Sequence, residues 1–296
     1  MNRLLLALLV AACSSKSTPE STELPASPTL DVTRFFTADV TGAMRSDAHS
    51  SPVVSYVSSL LKPAPACWTK LAKAIRASYQ LEVAGHGSYF LFEGDLPQAE
   101  VESCITSALG DILQVRVTHA GDLAVFETGP AGTAYAAWRG SVVIAGTSAQ
   151  VTAALQPSDP TIAKQWRERL AMLPPGLMSM WRDDALLARL FGVPTSSYAL
   201  AITRAEKTPK PFFAGQLVGQ YAKPEEAALA AQRIRAGEIS SAMTAPPQLA
   251  GAFKRMKVTS AATTVTIDFD STVFEGLDLE QLQGWLGRLA AAQATP

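Results

Sequence analysis

Charge is scarce in this chain, and so are the residues that most often do chemistry. Only 17% of the 296 residues are Asp, Glu, Lys or Arg, and 25 basic residues stand against 26 acidic ones for a net charge of −1. That balance argues against nucleic acid as a partner, because neutralising phosphates takes clustered Lys and Arg. The densest basic group, Lys254, Arg255 and Lys257, is read as a solvated helix end favoured by the helix dipole. Asparagine occurs once, at Asn2, so a Cys-His-Asn triad lacks its third member in the body of the chain. Histidine occurs three times, as His49, His86 and His119, never at the i, i+4 spacing of a helical metal site, and no metal or cofactor is expected. Cysteine also occurs three times, as Cys13, Cys67 and Cys104, with no Cys-x-x-Cys; neither a thioredoxin-like redox pair nor a cysteine zinc site is signalled. The opening apolar run, Leu4 to Val10, has seven residues, where a membrane-spanning helix needs about 20.

What is present starts with ordered parts. Met1-Asn2-Arg3 is a short positive region, Leu4–Val10 is apolar, and the small residues Ala11 and Ala12 precede Cys13. These are the parts of a secretory signal. Val10-Ala11-Ala12-Cys13 resembles the lipobox of bacterial lipoproteins, in which small residues precede an obligatory cysteine; Val10 stands where Leu is commoner. The resemblance implies a signal peptide over 1–12, cleavage before Cys13, a diacylglyceryl thioether on its sulfur and a fatty acyl group, of the palmitate kind, on the new amino terminus. In that family Asp after the cysteine tends to retain the protein at the inner membrane, so Ser14 implies the periplasmic face of the outer membrane in a Gram-negative cell. Each buried CH₂ contributes about 0.8 kcal/mol and one chain holds only marginally, whereas two or three make release slow. The alternative is an ordinary secretory signal with a chance cysteine.

Residues 13–30 continue with a stretch rich in Ser, Thr and Pro that has little to bury, which reads as a flexible tether. With Cys13 taken by lipid, Cys67 and Cys104 remain, and an exported pair is expected to bridge. Such a bridge contributes about 4 kcal/mol on the chain-entropy estimate. Two buried free thiols are the alternative.

From about residue 31 the chain reads as globular, with 48% hydrophobic residues to supply a core. Strands are expected at Phe35–Met44, Tyr79–Val83 and Ser88–Phe92, the last two turning through Gly85-His86-Gly87. Helices are expected at Pro52–Leu61, Cys67–Arg76 and after Pro97. Val115–Val117 pairs with Leu123–Phe126, Ala134–Trp138 pairs with Ser141–Ala145, and Ala149–Leu155 is a short helix. The order then recurs loosely. Gly42–Ala48 faces Met178–Ala185, Tyr79–Val83 faces Tyr198–Ile202, Phe90–Pro97 faces Phe212–Pro224, and Leu113–Glu127 faces Met256–Asp270, with a terminal helix at Leu279–Leu289. The expected fold is α+β: two loosely repeated antiparallel-sheet units, 31–156 and 157–296, with helices packed on one face. Thr152–Lys164, with its Pro-Ser-Asp-Pro, is the expected junction. The body also resembles the uncharacterised Ala-rich lipoproteins of myxobacteria, through Asp47 at a strand end, Cys67 and Cys104 on a helix pair and Trp138 in a later hairpin. No activity comes with that resemblance.

Four groups are worth weighing as chemistry. Ser59-Leu60-Leu61-Lys62 fits the Ser-x-x-Lys nucleophile pattern of exported penicillin-recognising enzymes, but Ser-x-Asn and Lys-Thr-Gly are absent and a helix end explains it. His86, Ser88 and Asp95 lie close in sequence without the Gly-x-Ser-x-Gly turn of a hydrolase, and a hairpin explains the glycines. Asp268 and Asp270 share one face of a strand, as a carboxylate pair does, or simply face solvent. Asp47 and Asp184 follow Arg45 and Arg182 at equivalent strand ends, where capping or an Arg–Asp pair explains them. No catalytic residue is assigned. The reading is a non-enzymatic envelope lipoprotein, attached to the membrane through Cys13, with a binding or assembly role and an envelope protein as partner. A carrier of a hydrophobic ligand is the alternative, and a cell-envelope hydrolase ranks below it.

Overall fold

Two glycines with left-handed backbone close the first hairpin. Gly85 and Gly87 have φ of 71° and 79°, a region glycine enters without a Cβ penalty, and they fold Ile75–Val83 (β2) back on Gly87–Gly94 (β3). The computed structural model describes residues 31–47, 63–128, 132–173, 178–183, 186–204, 213–238 and 247–275, with Ser51, Val54, Val57, Ser58 and Leu61 between the first two. The chain divides into two compact units between Met172 and Leu173.

In the first unit Val40–Asp47 (β1) precedes β2, and Val115–Ala120 (β4), Leu123–Thr128 (β5), Gly132–Arg139 (β6) and Val142–Gly146 (β7) follow β3. The spatial order is β1-β2-β3-β7-β6-β5-β4, and every one of these neighbours is antiparallel. Helices described along their whole length accompany the strands: Ala66–Ala74 (α1), Gln98–Leu113 (α2), Ser148–Leu155 (α3) and Pro160–Ala171 (α4).

These helices cover both faces of the strands, which corrects the expectation of one covered face. Successive strand residues point to opposite sides. Phe92 and Val143 lie opposite each other across β3 and β7 and pack in a cluster with Leu109, Ile105 and Trp68, on the side of α1 and α2. Their neighbours Leu91 and Ile144, also opposed, point the other way and are fully buried. On that second side a Cβ at Gly146 would meet the Tyr89 Cβ and the Gln150 Oε1, both at 2.9 Å, so α3 lies there. Hairpins connect the strands that the sequence pairs, but α1 and α2 come from within the run and α3 and α4 from after it, and together they reach both sides.

Cys67 in α1 and Cys104 in α2 form a disulfide, with Cα atoms 5.6 Å apart and a sequence separation of 37. Cys104 is buried and Cys67 half-buried. The indole Nε1 of Trp138 donates to the Leu96 carbonyl at 2.8 Å, tying the β6–β7 hairpin to the start of α2.

Several boundaries differ from expectation for local reasons. The strand expected from Phe35 starts at Val40, because the Asp31 carboxylate accepts from the Thr33 amide at 3.1 Å and its hydroxyl at 2.6 Å and winds Val32–Phe35 into a 3-10 turn. α1 ends at Ala74, not Arg76. There Ile75 pairs with Gly94, the Asp95 amide donates to the Ala74 carbonyl at 3.3 Å, and a Cβ on Gly94 would sit 2.2 Å from that oxygen. Thr152–Lys164 holds the end of α3, a short link and the start of α4, all within the first unit. Of the helix expected over Pro52–Leu61, Val54, Val57 and Ser58 are described and are helical. The terminal helix at Leu279–Leu289 lies outside the described residues.

The second unit contains Met178–Arg182 (β8), Ser197–Arg204 (β9), Phe213–Gln220 (β10), Lys257–Ala261 (β11) and Thr264–Asp270 (β12). They lie in the order β8-β9-β10-β12-β11, again antiparallel. Its helices are Leu186–Phe191 (α5), Pro224–Ala236 (α6) and Pro247–Arg255 (α7). α6 buries Ala227, Ala230, Ala231 and Ile234, one stripe at helical spacing. Within the strands the Phe269 ring lies over Gly215, its register partner, so closely that a Cβ there would be 2.3 Å from the ring.

Two stability measurements check this packing. Reduction of Cys67–Cys104, or Cys67→Ala with Cys104→Ala, is expected to cost about 2–5 kcal/mol in denaturant unfolding. Gly215→Val is expected to cost about 1–3 kcal/mol by forcing the Phe269 ring aside, whereas Gly110→Ala, where a Cβ meets nothing within 4 Å, is neutral or stabilising.

Candidate functional site

A cleft of about 200 Å³ opens in the first unit between Arg34–Ala38 and the α3–α4 link. One wall is held by a buried phenol. Tyr89 on β3 has no exposed surface; its hydroxyl donates to the Phe35 carbonyl at 2.7 Å and accepts from the Thr37 amide at 3.3 Å. Burial pushes the Tyr89 pKa up to about 12, against a smaller lowering by the bonds to Thr37. The segment after the 3-10 turn is thereby tied to the strands at two points.

The opposite wall is α3 and the link. Thr147 and Gln150 form a capping box at the start of α3, and the Gln150 Nε2 donates to the His86 carbonyl at 2.9 Å, fastening the helix over the β2–β3 turn. α3 ends where the Gln156 amide donates to the Ala153 carbonyl at 3.1 Å. Asp159 then caps α4, its carboxylate accepting from the Thr161 amide at 2.7 Å. α4 is drawn to the same place by Trp166, whose ring lies 5.3 Å from that of Phe36, and by Arg167, which pairs with Asp31 at 2.9 Å.

Apolar groups dominate the lining: Phe35, Phe36, Ala153, Ala154, Pro157 and Ile162. Two opposite charges, Arg34 and Asp159, also line it and are solvent-exposed. The Arg34 guanidinium lies 5.7 Å from the centre of the Phe35 ring. Among the described residues neither Arg34 nor Asp159 forms an ion pair, with each other or with a third group. No motif marks either residue. The one signal was Asp159-Pro160, a helix-start pattern that lay inside the stretch read as a junction.

The residues singled out in the sequence are not assembled into a reactive centre among the described residues. Ser88 accepts from the Gln80 Nε2 at 3.3 Å, His86 is exposed at the turn, and Asp95 lies just beyond the far end of β3. Seven residues of strand separate Ser88 from Asp95 by roughly 20 Å. Asp268 accepts from the Gln216 Nε2 at 2.8 Å, while Asp270 caps the following 3-10 turn through the Thr272 amide at 2.9 Å and the Thr272 hydroxyl. His119 meets Glu102 at 3.0 Å, and the Gln98 Nε2 donates to the same carboxylate at 2.7 Å, so the group joins α2 to β4. Arg45 lies opposite Tyr79, whose pKa is raised by burial and lowered less by the Arg45 charge, and Asp47 lies opposite Ala77. The basic group lies at the end of α7 as expected, with Lys254, Arg255 and Lys257 all exposed, and Arg255 in addition donates to the Val273 carbonyl. Cys13, Ser59, Lys62, His49 and Asp184 lie outside the described residues. No set of three His, Cys, Asp or Glu side chains among the described residues is placed to hold a metal ion.

No protein-family model matches the chain, and no curated protein does. Among solved structures it is similar to crystal form I of TP0453, at 11% identity and a TM-score of 0.50, over 90% of this chain and 98% of that one. Crystal form III gives 10% identity and 0.47 over 90% and 100%, and crystal form IV gives 10% and 0.47 over 88% and 96%. At such identity the likeness to form I speaks for the fold alone: mixed α and β, built on antiparallel strands with several helices.

The Tyr89 anchor has a measurable signature. Between pH 10 and 12 the unfolded phenol loses its proton while the folded one keeps it, so the unfolded state binds fewer protons and stability falls as pH rises. The contribution is fully present below pH 10 and is lost through pH 12. Tyr89→Phe is expected to cost about 1–3 kcal/mol at neutral pH, since a buried carbonyl loses its donor. Urea unfolding at about pH 9 and about pH 11 checks both: the variant shows a shallower alkaline loss than the parent.

Proposed function

We propose that this chain is a lipid-anchored protein of the cell envelope that acts by binding or assembly and is built from two units duplicated from one ancestor. The observation that carries the compartment is the Cys67–Cys104 disulfide. Bridges of this kind persist in oxidising compartments and are rare where thiols are kept reduced, which agrees with the secretory parts ahead of Cys13. The lipobox-like Val10–Cys13 supplies the anchor, and residues 13–30 supply the spacer between membrane and body. Ser14 favours the periplasmic face of an outer membrane.

Duplication is supported by order in space as well as in sequence. β1, β2, β3, α2, β4 and β5 follow the same succession as β8, β9, β10, α6, β11 and β12. In the second unit the β11–β12 hairpin returns to the third strand, β10, with β12 innermost; in the first unit the matching β4–β5 hairpin also has its second strand innermost, but β6 and β7 are interposed between β5 and β3. Removing that one hairpin from the first order leaves the order of the second.

A binding role is favoured over catalysis by what the polar residues do. Ser88, Asp268 and Asp270 are engaged in local hydrogen bonds that hold strands and caps. The cleft favours a ligand reading of modest size. At about 200 Å³ it lies below the ~300–1,000 Å³ of sites for drug-sized molecules, so a ligand held there is small.

Intact mass of the membrane-extracted protein, with a non-reduced peptide map, tests the anchor. The expected result is a chain beginning at an acylated Cys13 with a linked Cys67–Cys104 peptide. A chain retaining Met1 with free thiols would overturn both the anchor and the compartment.

A further inference from the structure

We propose that the cleft between Arg34–Ala38 and the α3–α4 link binds a small zwitterion with an apolar body, an α-amino acid in size and charge. The proposal deepens the binding reading above and rests on it, but needs neither the anchor nor the duplication. Arg34 and Asp159 line the same small space without pairing with each other or with any other described charge. The space therefore presents a positive and a negative pole at once.

Each pole has a matching half of the ligand. A carboxylate takes two parallel N–H donors from the planar Arg34 guanidinium, the geometry that distinguishes Arg from a point charge. An ammonium takes the Asp159 carboxylate, which already accepts from the Thr161 amide but has further lone pairs to offer. The C-terminal end of α3 adds to the negative pole, since a helix C-terminus favours cations, although the Ala153 carbonyl there already accepts from the Gln156 amide. Between the poles Phe35, Ala154, Pro157 and Ile162 offer apolar surface, against which an aliphatic or aromatic side chain is removed from water. A simple acid of the same size satisfies Arg34 and leaves Asp159 facing an apolar chain; a simple amine does the reverse.

The walls are prepared before a ligand arrives. Tyr89 fixes one side through Phe35 and Thr37, and the capping box and the Asp159 cap fix the other. Little ordering entropy is then spent on binding.

The test is titration of the full chain with leucine, hexanoate and hexylamine, by calorimetry and by backbone amide shifts. The expected result is leucine binding with shifts confined to 34–38 and 153–162, and hexanoate and hexylamine each weaker by about tenfold or more, the loss of one charge-assisted contact. Arg34→Gln and Asp159→Asn are each expected to weaken leucine by a similar factor. Asn keeps the helix cap, so an unchanged thermal midpoint separates lost charge from lost fold. Amide shifts in the parent protein carry the result even if Arg34→Gln unfolds. Leucine failing to bind, shifting residues elsewhere, or binding both variants as well as the parent would overturn the proposal. Hexanoate binding as tightly as leucine would overturn it as well, in favour of a plain anion site. None of these outcomes changes the mass at Cys13, so the anchor and the cleft fail separately.

Discussion

Burial of β3 and β7 on both faces is the constraint on which the first unit depends. Leu91, Val142 and Ile144 have no exposed surface, and their strand neighbours Phe92 and Val143 pack into the opposite cluster. Strands covered on both sides need helices on both sides, and α2 and α3 supply them. A polar atom placed at that depth has to find partners. Tyr89 is such a case, and its hydroxyl reaches the Phe35 carbonyl and the Thr37 amide. One wall of the cleft is therefore a consequence of satisfying a buried phenol. The other follows from Gln150, which carries one amide group into both a helix cap and the β2–β3 turn.

Polar side chains elsewhere hold ends and edges. Among the described residues β4 and β11 each pair with a neighbouring strand on one side only, and such a strand exposes unpaired backbone groups that invite another chain. At β4 the Glu102–His119 pair joins strand to helix at 3.0 Å. At β11 the Arg235 guanidinium donates twice to the Val258 carbonyl, at 3.3 and 3.1 Å, occupying an acceptor that an added strand would otherwise use. The second unit also relies on small residues for close approach. Alanines along α6 bring the helix onto its support, and Gly215 gives the Phe269 ring its place.

The hairpins and most helices were legible in the sequence because their causes are local. Gly85 and Gly87 announce a turn through backbone freedom, and Pro97 announces α2 through its fixed φ. Boundaries moved where a side chain acted over a short range that pattern does not reveal, as Asp31 does on Thr33. The candidate site was hardly legible at all. Ser88 and Asp95 are close in number and share one strand region, yet extended backbone sets them far apart. Arg34 and Asp159 are remote in number, belong to no motif, and are brought to one cleft by the way α3 and α4 return over the first segment.

By itself the sequence determined the order of basic, apolar and small residues ahead of Cys13, the Ser/Thr/Pro-rich composition of residues 14–30, the availability of a cysteine pair and the succession of strands and helices, since each depends on composition or near neighbours. Tertiary structure alone decided that helices cover both faces in the first unit, that Asp268 accepts from Gln216 on the neighbouring strand, and that an unpaired cation and anion line one apolar cleft. Those outcomes depend on which distant segments meet, and side-chain periodicity specifies only which face of each segment is apolar, not what covers it.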